Sequence, residues 1–255
     1  MKRILFTLLS LCGLATAAPQ PIVLVLTNVD HMRSMEGESE ATPTGFYLSE
    51  AAHPYAVFTD AGHEVILASP DGGFAPVDPK SLKLEKDKKN QAFWEAHGDK
   101  LDGRAGVEGT KPLSSIDPKD VAGVYFAGGH GTMWDFPNSK VVGEFITRVD
   151  ANQGVIGAVC HGPAAFIGAK GADGKPLVAG KKVAAFTNAE EKAVKLEEVV
   201  PFLLESELEK AGAEVVTAAN WAENAVRDGR LVTGQNPSSA TKSAKLFVEA
   251  LKDSE

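Results

Sequence analysis

Cysteine is scarce in this chain: Cys12 and Cys160 are the only two among 255 residues. That excludes a disulfide-stapled scaffold and a cysteine-rich zinc module. Positive charge is also in deficit, with 26 basic against 34 acidic residues and a formal net charge of −8. The balance argues against nucleic acid or an anionic membrane surface as the main partner. No apolar run reaches the roughly 20 residues of a membrane span. Aromatics are only 7 % of the chain, and Trp94, Trp134 and Trp221 on an acidic protein read as core or cleft-wall residues rather than a base-stacking platform. There is no internal repeat and no low-complexity linker. What is present is a 44 % apolar fraction, ample for a core, which excludes wholesale disorder.

The one long apolar stretch stands at the start. Lys2 and Arg3 precede Ile4 to Leu14, and Ala15-Thr16-Ala17-Ala18 supplies small residues for cleavage. Residues 1–18 therefore read as a signal peptide, and the protein as secreted or periplasmic. Leu11 before Cys12 does not fit a lipoprotein signal. Cleavage leaves 24 basic against 34 acidic residues, a net charge of −10, and one cysteine. In a compartment that oxidises paired thiols, an unpaired one is either buried and inert or chemically employed.

The body alternates strand and helix. Pro21 to Thr27 is a short apolar run expected of a strand buried on both faces. A helix over Glu50–Ala61, stopped by Gly62, leads to a strand at Glu64–Ser69. Residues 70–118 are polar and read as an insertion, with a helix near Lys86–Ala96, because their apolar content is too thin for a core of their own. Strands at Val121–Ala127 and Val155–Val159 flank a helix capped by Ser139. The remaining expectations are a strand at Lys182–Phe186, a helix at Val200–Ala211, a strand at Glu214–Thr217, a hairpin across Asp228-Gly229 and a last helix from Ser239 to Leu251. Repeated β-α units imply a single α/β domain, residues 19–255, with a mostly parallel sheet between helical layers. Sites in such sheets form where strand carboxyl ends meet the loops.

Cys160 sits at one such end. In Ala158-Val-Cys-His-Gly162 the small flanking residues permit a tight strand-to-helix turn, a nucleophile elbow. A following helix N-terminus would lower the thiol pKa, and the His161 N–H would meet a developing oxyanion. His161 is the nearest base, although neighbours on a sharp turn need not point together. Glu190 and Glu191 are both available to orient it. Gly128-Gly129-His130-Gly131 follows another strand end and suits close approach of backbone to a ligand, with His130 either structural or functional. Neither a dinucleotide nor a P-loop phosphate motif follows.

These segments carry a resemblance. Ala158 to Phe166 and Phe126-Ala-Gly-Gly-His-Gly-Thr-Met-Trp-Asp-Phe-Pro137 resemble the DJ-1/PfpI superfamily, a class I glutamine amidotransferase-like group. Gly45 to Pro54, Phe186-Thr-Asn-Ala-Glu-Glu191 and Gly234 to Ala240 agree with its Hsp31-like branch of glyoxalase III enzymes and chaperones. The resemblance implies a flavodoxin-like three-layer sandwich. It implies Cys160 as nucleophile, His161 and Glu191 as its triad partners, and Glu50 as a proton carrier beside the sulfur. Gly129 and His161 would supply the oxyanion hole, with His130 beside the substrate.

The implied activity is conversion of methylglyoxal to D-lactate, or glyoxal to glycolate, in carbonyl-stress detoxification, with no metal, glutathione or other cofactor. The partner is then a small dicarbonyl, with no nucleic acid and no membrane, and relatives imply a homodimer. Competing readings are a holdase chaperone or stress protein, a deglycase, and a cysteine amidase or peptidase using the same triad. No histidine-carboxylate zinc motif could be placed.

Overall fold

The computed structural model describes residues 19–32 and 42–254. Residues 1–18, read above as a signal peptide, and with them Cys12, lie outside the described residues.

The first strand, Ile22–Val25, is buried on both faces. It pairs in parallel with Val65–Ser69 on one side and Gly123–Phe126 on the other. The parallel run continues through Val155–Val159 to Leu231–Gly234 at one side, and to Arg104–Pro112 at the other. Three antiparallel strands finish the edges: Ala225–Asp228 against Leu231–Gly234, and Gly73–Pro76 and Gly98–Leu101 against Arg104–Pro112. The result is a mostly parallel sheet of nine strands between helical layers, as the β-α alternation implied.

Alternation within the strands sorts the core into two halves. Ile22, Leu24 and Tyr125 face the helices Leu48–Asp60 and Ala240–Lys252, where they meet Phe58 and Phe247. Val23, Val25 and Phe126 face the helix Lys140–Ala151, through Val142, Phe145, Ile146 and Val149. Ser139 starts that helix, its hydroxyl accepting from the Val142 N–H. These layers make the sheet rigid, and its strand carboxyl ends become fixed mounts for loops.

Several expectations change in detail. The strand expected at Lys182–Phe186 reduces to Lys182–Val183, which pairs off the main sheet with Glu214–Val215. Its continuation turns inward, and the Ala184 N–H is taken by Thr233 Oγ1 at 2.8 Å instead of by a strand neighbour. The helix expected over Val200–Ala211 is shorter, Leu204–Lys210. Residues 70–118, read as an insertion, supply three strands of the main sheet and the helix Lys88–His97. Their composition is polar because they form its edge.

Asp135 ends the short helix Thr132–Asp135, with most of its carboxyl turned inward. Its Oδ2 accepts from Thr27 Oγ1 and the Asn28 N–H, both at 2.8 Å, while Oδ1 has no partner. Burial pushes its carboxyl up to about 7, with those hydrogen bonds opposing part of the rise. The folded group thus holds its proton more tightly than the unfolded one, and the fold loses this advantage as pH rises from the ordinary aspartate range through about 7. Asp135→Asn keeps an accepting oxygen but cannot ionise. In urea titrations the variant should gain on the parent protein between pH 5 and pH 8; an unchanged difference would refute it.

Candidate active site

Cys160 follows the strand Val155–Val159 and adopts a left-handed backbone, φ 60°. A non-glycine residue held there costs on the order of 1–3 kcal/mol and persists only where the surroundings enforce it. Here they do. The Cys160 N–H donates to the Gly234 carbonyl, and the Phe186 N–H donates to the Cys160 carbonyl, each at 2.9 Å. The second bond also brings the Phe186–Glu191 segment to the nucleophile.

Next to it, His161 is fully buried and does point with its neighbour. Its Nδ1 lies 3.3 Å from Cys160 Sγ, and its Nε2 donates to Glu191 Oε2 at 2.8 Å. Burial, then repulsion from His130, holds the imidazole below its ordinary pKa despite Glu191, so it is a neutral base with its lone pair on the sulfur. Glu191 also takes His130 Nε2 on Oε1 at 2.9 Å. Burial pushes the Glu191 carboxyl up, but the two histidines overcome that and hold it well below the usual carboxylate range.

The choice between the two glutamates comes from helix capping. Thr187 and Glu190 form a capping box at the start of the helix Asn188–Val194. Glu190 is consumed there and by Trp221 and Asn236, which both donate to its Oε1 at 2.9 Å. Only Glu191 is left to face the histidines.

Glu50 enters from the helix Leu48–Asp60 and is wholly buried. Its carboxyl faces the Cys160 thiol and the Gly128 N–H, without ordinary hydrogen-bond geometry to either. Burial pushes the carboxyl up strongly. Burial also pushes up the Cys160 thiol, and a charged Glu50 pushes it further, while the His161 N–H favours the thiolate. A charged Glu50 and a Cys160 thiolate thus disfavour one another, and the two groups titrate together.

A helix N-terminus does not depress the thiol as the sequence suggested. Gly162–Phe166 is a five-residue 3-10 turn with Pro163 in its first turn, too short for a substantial dipole.

Gly128 and Gly129 have separate steric reasons. A Cβ on Gly128 would collide with the Glu50 carboxyl and the Val159 carbonyl, and one on Gly129 with the Gly45 carbonyl. Gly129 also stands at φ 108°, a region that favours glycine. The loop can thus bring its backbone close to the sulfur.

Above the sulfur lies a cleft of about 420 Å³, lined by Tyr47, Gly129, His130, Cys160 and His161 on the reacting side. Phe186, Val194, Leu196 and Trp221 form an apolar wall, and Asp78, Lys80 and Lys83 also line it. Val194 ends the helix Asn188–Val194 and Leu196 follows it, while Trp221 comes from a distant loop; of the wall only Phe186 and Trp221 carry a signal in the sequence. His130, His161 and Glu191 have ligand atoms within 4.8 Å of one another and could geometrically hold a metal ion. Their donors are already engaged in the short hydrogen bonds just described.

Five sequence motifs and this geometry agree with a family-wide match. The DJ-1/PfpI family model covers residues 41–250. The chain belongs to that family. Glyoxalase 3 of Candida albicans is 32% identical over 245 residues, covering 91% of this chain and 98% of the relative. The glutathione-independent glyoxalase HSP31 of Saccharomyces cerevisiae is also 32% identical over 245 residues, covering 92% of this chain and 100% of the relative. Among solved structures, glyoxalase III from Candida albicans superposes with a TM-score of 0.78 at 31% identity, covering 91% of this chain and 97% of that one. The Francisella tularensis Rapid Encystment Protein 24 kDa gives 0.80 at 36% identity, covering 91% and 99%.

Proposed function

We propose that this DJ-1/PfpI protein is a glutathione-independent glyoxalase that converts methylglyoxal to D-lactate, and glyoxal to glycolate, with Cys160 as nucleophile. The observation that carries the reading is the sealed carboxyl of Glu50 set against the thiol. An amidase or peptidase needs a nucleophile, a base and an oxyanion hole. Moving a hydrogen between two adjacent carbons needs a further proton carrier on the reacting side. Glu50 is placed for that task, and the relatives named glyoxalases agree with it.

In this mechanism the sulfur adds to the aldehyde carbon and the oxygen takes a proton, giving a hemithioacetal. The Gly129 and His161 N–H groups face the developing oxyanion. Glu50 and His161 then remove the hydrogen from the former aldehyde carbon and deliver one to the ketone carbon, through an enediol. The product is a thioester, and water releases lactate and restores the thiol. The aldehyde carbon is oxidised and the ketone carbon reduced, so no external oxidant is required.

The direct test is D-lactate formation from methylglyoxal by purified protein without glutathione. No D-lactate from a folded, reduced preparation would reject the reading. The holdase reading would instead need a broad exposed apolar surface. Among the described residues the exposed large apolar side chains are Leu101, Val194 and Trp221, two of them at this cleft.

No helix among the described residues is long and apolar enough to cross a membrane. Export rests on the pattern of residues 1–18, and N-terminal sequencing that begins near Ala18 or Pro19 would support it. The homodimer implied by the family resemblance is tested by analytical ultracentrifugation.

A further inference from the structure

The cleft above Cys160 is far larger than the chemistry requires. Methylglyoxal is a three-carbon molecule, whereas about 420 Å³ lies within the range of pockets that hold much larger ligands. The surplus space is bounded by an apolar wall as well as by Asp78, Lys80 and Lys83, and the exposure of the apolar side chains is unusual. Of the three large apolar side chains exposed among the described residues, Val194 and Trp221 both line this cleft, Trp221 being the more exposed at 45%.

Trp221 is also held in place against backbone preference. It stands at φ 66°, in the left-handed region that bulky residues avoid. Glu190, wholly buried, fixes it by accepting the Trp221 N–H at 2.9 Å. Asn236 Nδ2 donates both to the same Glu190 oxygen, at 2.9 Å, and to the Ala222 carbonyl, at 2.8 Å. A strained, over-determined residue with its indole exposed to a cleft is a mark of a ligand contact.

The aromatic rings continue inward from there. The indole lies 5.8 Å from the Phe186 ring, centroid to centroid, and Phe186 lies 4.4 Å from the His161 ring. Flat apolar surface thus runs from the reacting centre to the cleft rim.

We infer that Trp221 is a specificity-determining residue that selects α-oxoaldehydes whose ketone carbon carries a flat aromatic group, phenylglyoxal being the simplest. This rests on the glyoxalase reading above, and the chemistry is unchanged. One water is added, the aldehyde carbon becomes the carboxyl, the ketone carbon becomes the alcohol, and the product is mandelate. The ring packs on Phe186 and Trp221 while the dicarbonyl reaches the sulfur, so the contact serves binding and reports chiefly in KM.

The experiment compares kcat/KM for phenylglyoxal and methylglyoxal in the parent protein, Trp221→Ala and Trp221→Phe. Calorimetric titration with mandelate and with lactate runs beside it. Phenylglyoxal should be favoured about tenfold or more. Trp221→Ala should cut its kcat/KM about tenfold through KM while changing methylglyoxal less than about threefold, and Trp221→Phe should retain most of the preference. Mandelate should bind about tenfold tighter than lactate, and lose that margin in Trp221→Ala.

Methylglyoxal turnover without a phenylglyoxal preference overturns the inference and leaves the glyoxalase reading standing. Equal losses on both aldehydes, or no loss, in Trp221→Ala overturn it as well. Mandelate binding no tighter than lactate does the same, whatever the kinetics. If neither aldehyde is turned over but mandelate binds tightly through Trp221, the glyoxalase reading fails and the aromatic wall stands.

Discussion

Cys160→Ser is expected to abolish D-lactate formation, a fall on the order of ten-thousand-fold or more in kcat/KM. The base available is a neutral imidazole held below its ordinary pKa by burial and by His130. Such a base can take a proton from a thiol. It is a poor match for a serine hydroxyl, whose pKa lies far above that of cysteine. The left-handed backbone and its two clamping hydrogen bonds do not depend on the side chain, so the variant should fold. Circular dichroism and the thermal midpoint should be close to those of the parent protein. D-lactate produced by folded Cys160→Ser at more than about one per cent of the parent rate would exclude a route that depends on the Cys160 thiol.

Glu50→Gln is the second large effect, a loss of about 10²- to 10⁴-fold in kcat with little change in KM. The amide occupies nearly the same space but carries no transferable acidic proton. A purely structural role for Glu50 could mimic that loss, so the thiol provides a separate signature. The negative charge of Glu50 is one of the causes that push the Cys160 thiol up. Without it the thiolate forms at lower pH, and iodoacetamide should alkylate Cys160 along a profile shifted downward. A variant that loses D-lactate formation while its cysteine reacts at lower pH fits a proton carrier. Unchanged kcat, or an alkylation profile shifted upward, would remove Glu50 from the mechanism.

The sheet and most helices were legible because burial writes itself into composition. Ile22–Val25 and Val155–Val159 are continuous apolar runs, and each is buried throughout. The elbow was legible for a different reason: small residues around a cysteine at a strand end leave few other shapes. What was not legible depended on competition between local and distant partners. Lys182 and Val183 form a strand, but Thr233 captures the next N–H and the strand stops there. The turn after Cys160 contains a proline and closes as 3-10, so the expected helix dipole gives way to the electrostatics of Glu50. Glu191 was distinguishable from Glu190 by family resemblance; the physical reason is the capping box, which appears only once Thr187 is seen to start a helix. The apolar wall of the cleft gave little signal, because the end of the helix Asn188–Val194 and the loop carrying Trp221, far apart in the chain, come to line one cleft only in the fold.

Cys160 and Trp221 share a property that bears on engineering. Both hold left-handed backbones and both line the same cleft, so stability has been surrendered where the ligand is to sit. A glycine at either position would relax the chain. Selection for heat resistance alone would therefore favour losing the nucleophile and the indole, and would deliver a hardier protein with an empty purpose. Laboratory evolution of this scaffold has to screen for turnover in every round.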